Sequence, residues 1–247
     1  MTERVLLIRH GEVEGDAGSR FLGRTDVAMS AAGEARLARL AQMLAVWPLE
    51  AVWCSPLRRS RRTAALIAAG RGVPVRVAPA LAEIDMGDWE NLSRREVARS
   101  QPAVFAARGK AIDTFRPPGG ESFADLAARV LPCWRAILAS PEKTVAVAGH
   151  AGVDRVILCD LLGMPLANLF RLAQPPGCVD LIEIGRAGPV VAMLGATAPA
   201  LLPALLPAGP PASPPGSPAT GRSPHDLPET PRCWTPAAAT SPICGSR

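Results

Sequence analysis

Two of the three histidines in this chain each stand directly behind an apolar run. Arg9-His10-Gly11-Glu12 follows Val5-Leu6-Leu7-Ile8, and Gly149-His150-Ala151-Gly152 follows the stretch from Thr144 to Ala148. The third, His225, lies in a proline-rich stretch near the C-terminus. Imidazole attacks phosphorus or moves protons near neutral pH. The guanidinium of Arg9 offers a planar fork of donors that suits phosphate oxygens. Gly11 permits a tight bend and a close backbone approach to a ligand. One histidine after a strand is ordinarily a structural residue. Two placed alike, at the ends of two strands, point to one shared site.

Two further stretches carry chemistry. Ser55-Pro56-Leu57-Arg58-Arg59-Ser60-Arg61-Arg62-Thr63-Ala64 follows the short apolar run Ala51 to Cys54. It reads as a strand-to-helix turn with Ser55 as cap and Pro56 in the first turn. A helix N-terminus favours anions through its unpaired N–H groups, and an arginine in its first turn or so can reach the same anion. Leu81-Ala82-Glu83-Ile84-Asp85-Met86-Gly87-Asp88-Trp89-Glu90 mixes carboxylates with apolar residues, and a carboxyl in such company can act as a general acid. The plainer reading of each acid is a surface charge.

The elements that must deliver these groups are legible from periodicity. Val5–Ile8, Ala51–Cys54, Val73–Val77 and Thr144–Ala148 read as strands. Residues 12–29, with Gly15, Gly18 and Gly23, read as a loop over the site. Ser30 caps a helix with Leu37, Leu40, Ala41 and Leu44 on one face, ending before Pro48. A second helix runs from Ser55 to about Gly70, and Ser93 with Glu96 forms a capping box for a short one. Ser122 and Asp125 open a helix whose stripe is Phe123, Leu126, Val130, Trp134 and Leu138, with a kink expected at Pro132. An apolar helix follows His150 as far as Gly163. Residues 179–184 and 189–194 read as a closing strand pair. This order predicts a three-layer α/β fold: a mostly parallel sheet with helices on both faces. The expected catalytic domain is 1–195. Thirteen of the 26 prolines lie from Pro199 onward, so 196–247 reads as a disordered Pro/Ala/Ser-rich tail.

Composition narrows the classes. With 48% hydrophobic residues the chain can bury a sizeable core. The net charge of +5 fits an acidic small substrate. Arg58, Arg59, Arg61 and Arg62 form one basic cluster with no aromatic interleaved, which argues against nucleic acid as partner. Six scattered cysteines without paired spacing argue against a structural metal or a disulfide framework. No secretory signal or membrane-length apolar run stands out, so the cytoplasm is expected. Neither a metal nor another cofactor is expected; whether the chain forms a homodimer stays open.

Taken together, the motifs resemble those of the histidine phosphatase superfamily, also called phosphoglycerate mutase-like. The resemblance rests on Arg9-His10-Gly11-Glu12, Arg20-Phe21-Leu22-Gly23-Arg24-Thr25-Asp26, Ser55 to Ala64, Leu81 to Glu90, Gly119-Gly120-Glu121-Ser122 and Gly149-His150-Ala151-Gly152. It covers about residues 4–195 in the family's order. It implies that His10 becomes a phosphohistidine, that Arg9, Arg59 and His150 hold the phosphoryl oxygens, and that Glu83 is the proton donor. Leu22 and Gly23 join Arg9, Arg59 and His150 in contacting substrate. Arg58 is the alternative to Arg59, but the motif register favours Arg59. Val13, Asp16 and Leu22 stand where the family often has Thr, Asn and Gln, departures that bear on substrate choice. The expected activity is hydrolysis of a small phosphorylated metabolite, as in the phosphatase branches that include alpha-ribazole phosphatase. The alternatives are a phosphoglycerate mutase and a non-catalytic phospho-ligand or protein-binding module.

Overall fold

The computed structural model describes residues 1–15 and 18–197. Its centre is β1 (Arg4–Arg9), whose Val5, Leu6, Leu7 and Ile8 are all fully buried. A strand with both faces covered needs no alternation, which is why this run is continuously apolar. Successive side chains nevertheless go to opposite sides. Val5 and Leu7 enter one core cluster, Leu6 and Ile8 the other. β4 (Thr144–Gly149) divides the same way, Val145 and Val147 against Ala146 and Ala148. The sheet is therefore the middle of three layers.

The other strands are β2 (Ala51–Cys54), β3 (Val75–Val77), β5 (Val179–Gly185) and β6 (Gly188–Ala196), in the spatial order β3-β2-β4-β1-β5-β6. The pairs β3/β2, β2/β4 and β4/β1 are parallel, while β1/β5 and β5/β6 are antiparallel. The sheet is thus mixed, with its parallel part on the side that bears the motifs. β3 is shorter than the expected 73–77. Proline has no N–H to give a ladder, and Pro74 instead accepts from the Val52 amide through its carbonyl at 3.0 Å.

On one face lie α1 (Ala31–Met43) and α2 (Arg58–Ala68). Ser30 caps α1 by accepting from the Gly33 amide at 3.1 Å. On the other face lie α5 (Phe123–Leu138) and α6 (Ala151–Leu161). Ser122 and Asp125 form a reciprocal capping box at the start of α5, which continues as one helix through an exposed Pro132. Two short helices, α3 (Arg94–Ser100) and α4 (Pro102–Lys110), complete the set. α4 buries none of its residues fully, so its weak apolar pattern did not announce it.

The start of α2 differs from expectation. Its first residue is Arg58 and its cap is Leu57, which gives no side-chain bond. The Arg58 amide is satisfied instead by Asp26 Oδ1 at 2.7 Å, from the 12–29 loop. Ser55 Oγ accepts the Leu57 amide at 3.2 Å and keeps room for a second partner. At the far end, β6 runs to Ala196, one residue into the stretch read as tail; the expectation for residues beyond 197, and for Asp16, lies outside the described residues.

Gly11 is needed for space, and it is not among the positive-φ residues. A Cβ there would sit 2.8 Å from the Gly33 carbonyl oxygen. In turn, a Cβ on Gly33 would strike the Glu12 carbonyl oxygen and come within 2.7 Å of the Glu12 amide. The first turn of α1 therefore rests directly on the backbone that follows His10. Gly33→Ala, although helix-favouring by propensity, should destabilise the protein by about 1–3 kcal/mol through overpacking. Urea denaturation checks this; a stabilised variant would show that the contact is not tight.

Candidate active site

His10 and His150 stand one residue beyond the ends of adjacent parallel strands. The ladder pairs Arg9 with Gly149, and the His10 amide donates to the Gly149 carbonyl at 3.2 Å. The two rings meet edge to face, with centroids 5.2 Å apart and planes at 62°. Both are buried. Arg9, Arg59, Glu83, Leu22 and Gly23 line the same cavity of about 740 Å³ as His10. The structure thus brings together every residue expected at the site.

A hydrogen bond to a carbonyl fixes the tautomer of His10, and a hydroxyl anchors His150. His10 Nδ1 lies 2.7 Å from the Gly11 carbonyl oxygen. A carbonyl only accepts, so Nδ1 carries the proton and Nε2 keeps its lone pair. His150 Nε2 lies 2.7 Å from Ser55 Oγ. The Leu57 amide donates to that same oxygen at 3.2 Å. The Ser55 amide donates to Ser60 Oγ at 2.8 Å, and Ser60 donates on to the Ala148 carbonyl at 2.7 Å. The role of Ser55 was not visible in the sequence, where a serine before a proline at a helix start looks like a cap.

Arg59 is a buried cation held by backbone. Its Nη1 donates to the Thr25 carbonyl and its Nη2 to the Gly23 carbonyl, each at 2.7 Å. The loop that offers those carbonyls is pinned by Glu90, whose carboxylate accepts from the amides of Arg24 at 2.7 Å, Thr25 at 2.8 Å and Met86 at 3.0 Å, and from the Thr25 hydroxyl. Arg9 Nη1 donates to the Gln174 carbonyl.

Glu83 is buried, and each of its carboxylate oxygens accepts one backbone amide, Ile84 and Gly152, both at 2.9 Å. Gly152 lies in the first turn of α6, where a Cβ would strike the Glu83 carboxylate. Arg129 braces the segment from behind. It donates to the carbonyls of Ala80 and Ala82 at 2.8 Å and of Glu83 at 2.9 Å, and forks onto the Glu121 carboxylate at 2.8 and 3.0 Å. Arg129, Glu121 and Glu90 were thus missed as braces. Most of their contacts span dozens of residues of chain, beyond the reach of a local pattern.

The site is electropositive. Burial, then Arg59 and Arg9, push His10 down to about 3 from an ordinary 6.5. Burial, then His10 and the arginines, hold His150 well below its ordinary value as well. Behind them, burial and then Asp180 and Glu83 raise Asp154 well above the carboxylate range. Burial thereby favours the neutral form of Asp154. Among the described residues no group of three or more His, Cys, Asp or Glu is disposed to hold a metal, and no helix is long and apolar enough to cross a membrane.

Residues 5–197 match the sequence profile of the histidine phosphatase superfamily (branch 1). The chain belongs to that superfamily. It is 29% identical over 196 residues to the adenosylcobalamin/alpha-ribazole phosphatase of Salmonella typhimurium, covering 79% of this chain and 97% of that protein. It is 32% identical over 175 residues to the glucosyl-3-phosphoglycerate phosphatase of Mycobacterium tuberculosis, covering 67% and 78%. The crystal structure of the alpha-ribazole phosphatase from Shigella flexneri superposes with a TM-score of 0.72 at 26% identity, covering 78% of this chain and 96% of that one. The chain is an enzyme of this phosphoglycerate mutase-like class.

The histidine environment has a consequence for stability. Between about pH 3 and 6.5 the unfolded chain holds a proton on residue 10 that the folded chain does not. Stability from this group therefore rises with pH across that window and is complete above it. His10→Asn removes the effect, so the variant should gain on the wild type as pH falls from about 6.5 to 4.5, with a slope difference approaching about one proton. Thermal melts at several pH values measure it; parallel curves would contradict a neutral, buried His10.

Proposed function

We propose that this chain is a phosphatase that hydrolyses a small phosphomonoester through a phosphohistidine on His10. The observation that carries this reading is the pair of buried rings 5.2 Å apart, with His10 Nδ1 committed to the Gly11 carbonyl and Arg59 fixed beside them. His10 Nε2 attacks phosphorus and the bond to the ester oxygen breaks. Glu83 gives the departing alkoxide its proton. Water then attacks the phosphohistidine, Glu83 takes a proton from it, the N–P bond breaks, and inorganic phosphate leaves. Dividing one displacement into two easier ones is the gain from a covalent nucleophile.

Arg9 and Arg59 hold the phosphoryl oxygens and meet the charge that spreads over them, the main demand of such a transfer. Both guanidiniums are placed by backbone carbonyls before substrate arrives, so little reorganisation is required. Ser55 Oγ accepts the Leu57 amide and, in this reading, its hydroxyl donates to His150 Nε2. That leaves His150 Nδ1–H as a neutral donor to the same oxygens. Leu22 and Gly23 form the adjoining wall.

The substrate is a small phosphorylated metabolite in the cytoplasm, and 1–195 is the catalytic domain. The two relatives above are named for different phosphomonoesters, so neither name fixes the substrate here. A phosphoglycerate mutase would share the first half-reaction and return the phosphoryl group to a substrate hydroxyl; isomerisation of 3-phosphoglycerate without phosphate release would identify it.

Three measurements test this reading. His10→Ala should abolish hydrolysis of p-nitrophenyl phosphate while its circular dichroism stays native, and Glu83→Gln should slow turnover of an alkyl phosphate by about 10²- to 10⁴-fold, the usual worth of a general acid. Retained turnover in His10→Ala would refute the nucleophile. Truncation after residue 199 should preserve the wild-type rate; loss of folding would show that the tail belongs to the catalytic domain.

A further inference from the structure

Beyond the catalytic centre, the same cavity is lined by Arg94, Arg108 and Arg155 together with Phe21 and Phe170. These five side chains form a continuous row. Arg94 and Arg108 lie over the ring of Phe21, at 5.8 and 5.4 Å from its centroid. Arg108 and Arg155 lie over Phe170, at 5.7 and 5.3 Å. Stacking on a ring fixes the plane of a guanidinium and leaves its N–H edge available.

None of the three arginines forms an ion pair with a carboxylate among the described residues. Arg94 donates to the Gly18 carbonyl at 2.6 Å, and Arg155 to the carbonyls of Leu172 at 2.9 Å and Ala151 at 3.3 Å. Arg108 sits at the middle of the row. Burial and the like charge of Arg94 both disfavour its charged form. Of the three, Arg155 feels carboxylates, Glu83 and Asp154, without pairing with either; bringing cations together in a cleft is costly and focuses a positive field. The transferring phosphoryl group is already provided for by Arg9 and Arg59, so these charges suit a different anion.

We infer that Arg108, flanked by Arg94 and Arg155, forms a second anion subsite, so that the substrate is a phosphomonoester carrying another acidic group, carboxylate or phosphate, at its far end. This rests on the phosphatase reading for which end reacts. The two arginine–phenyl contacts on either side of Arg108 hold it facing one ligand group rather than sweeping through solvent. Phe170 is 53% exposed, a large ring kept at the cavity's edge as a platform for two guanidiniums.

The test compares matched pairs that differ in the second acid: 3-phosphoglycerate against glycerol 3-phosphate for a carboxylate, and fructose 1,6-bisphosphate against fructose 6-phosphate for a phosphate. The wild type should favour the more acidic member of at least one pair by about tenfold or more in kcat/KM, the scale of a charge-assisted hydrogen bond. The preferred pair tells which acid is read. Arg108→Gln should bring that ratio close to one, Arg94→Gln should lower it in part, and added salt should weaken the wild-type preference. Equal treatment of both pairs by the wild type, or an equal loss on both members in Arg108→Gln, would overturn the proposal. Should the wild type release no phosphate even from p-nitrophenyl phosphate, the phosphatase reading fails by itself. Dissociation constants of the same four compounds for wild type and Arg108→Gln then judge the subsite by the same ratio.

Discussion

The parallel ladder between β1 and β4 sets the position of both imidazoles. Arg9 pairs with Gly149, so the residues that follow, His10 and His150, leave the sheet side by side. Strand register is discrete. Because successive side chains face opposite sides, a slip of one residue would turn Leu6 and Ile8 from one core to the other. Packing on both faces therefore fixes the register, and the register fixes the approach of the two rings. The hydrophobic core is in this sense part of the site's geometry.

Given that placement, the remaining problem is electrostatic. Arg59 is buried beside two rings that burial keeps neutral, and no carboxylate bonds it directly. Its charge is tolerated because backbone carbonyls of Gly23 and Thr25 solvate it, and those carbonyls stay in place because Glu90 holds the amides around them. The same logic operates on Glu83, oriented by the amides of Ile84 and Gly152 and braced through its carbonyl by Arg129. Glu90 and Arg129 thus act one step behind the cavity, anchoring backbone, while Arg9, Arg59 and Glu83 line it. A phosphoryl group entering such a site meets donors already aimed.

Much of this was readable from sequence, for definite reasons. Val5–Ile8 and Thr144–Ala148 are buried on both faces and so are continuously apolar, and the abrupt change to Arg9-His10 and Gly149-His150 marks where each strand leaves the core. Ser122 with Asp125 and Ser93 with Glu96 made their capping boxes as local chemistry requires. What was not readable depends on distant partners. Ser55 looks like a cap until His150 is found beside it, and the Arg58 amide is capped by Asp26 instead. Arg108 lies on α4, a helix with no strong apolar face, and its meaning arises only from Phe21 and Phe170.

If His10 takes the phosphoryl group, the phosphohistidine can be trapped. The wild-type protein is mixed with excess p-nitrophenyl phosphate, quenched in alkali during turnover, digested, and mapped by mass spectrometry. A nucleophilic His10 gives a phosphorylated histidine in the peptide that contains it and an unmodified peptide around His150. A phosphoryl group on His150 or on another residue, or steady turnover with no trapped phosphopeptide, would contradict it.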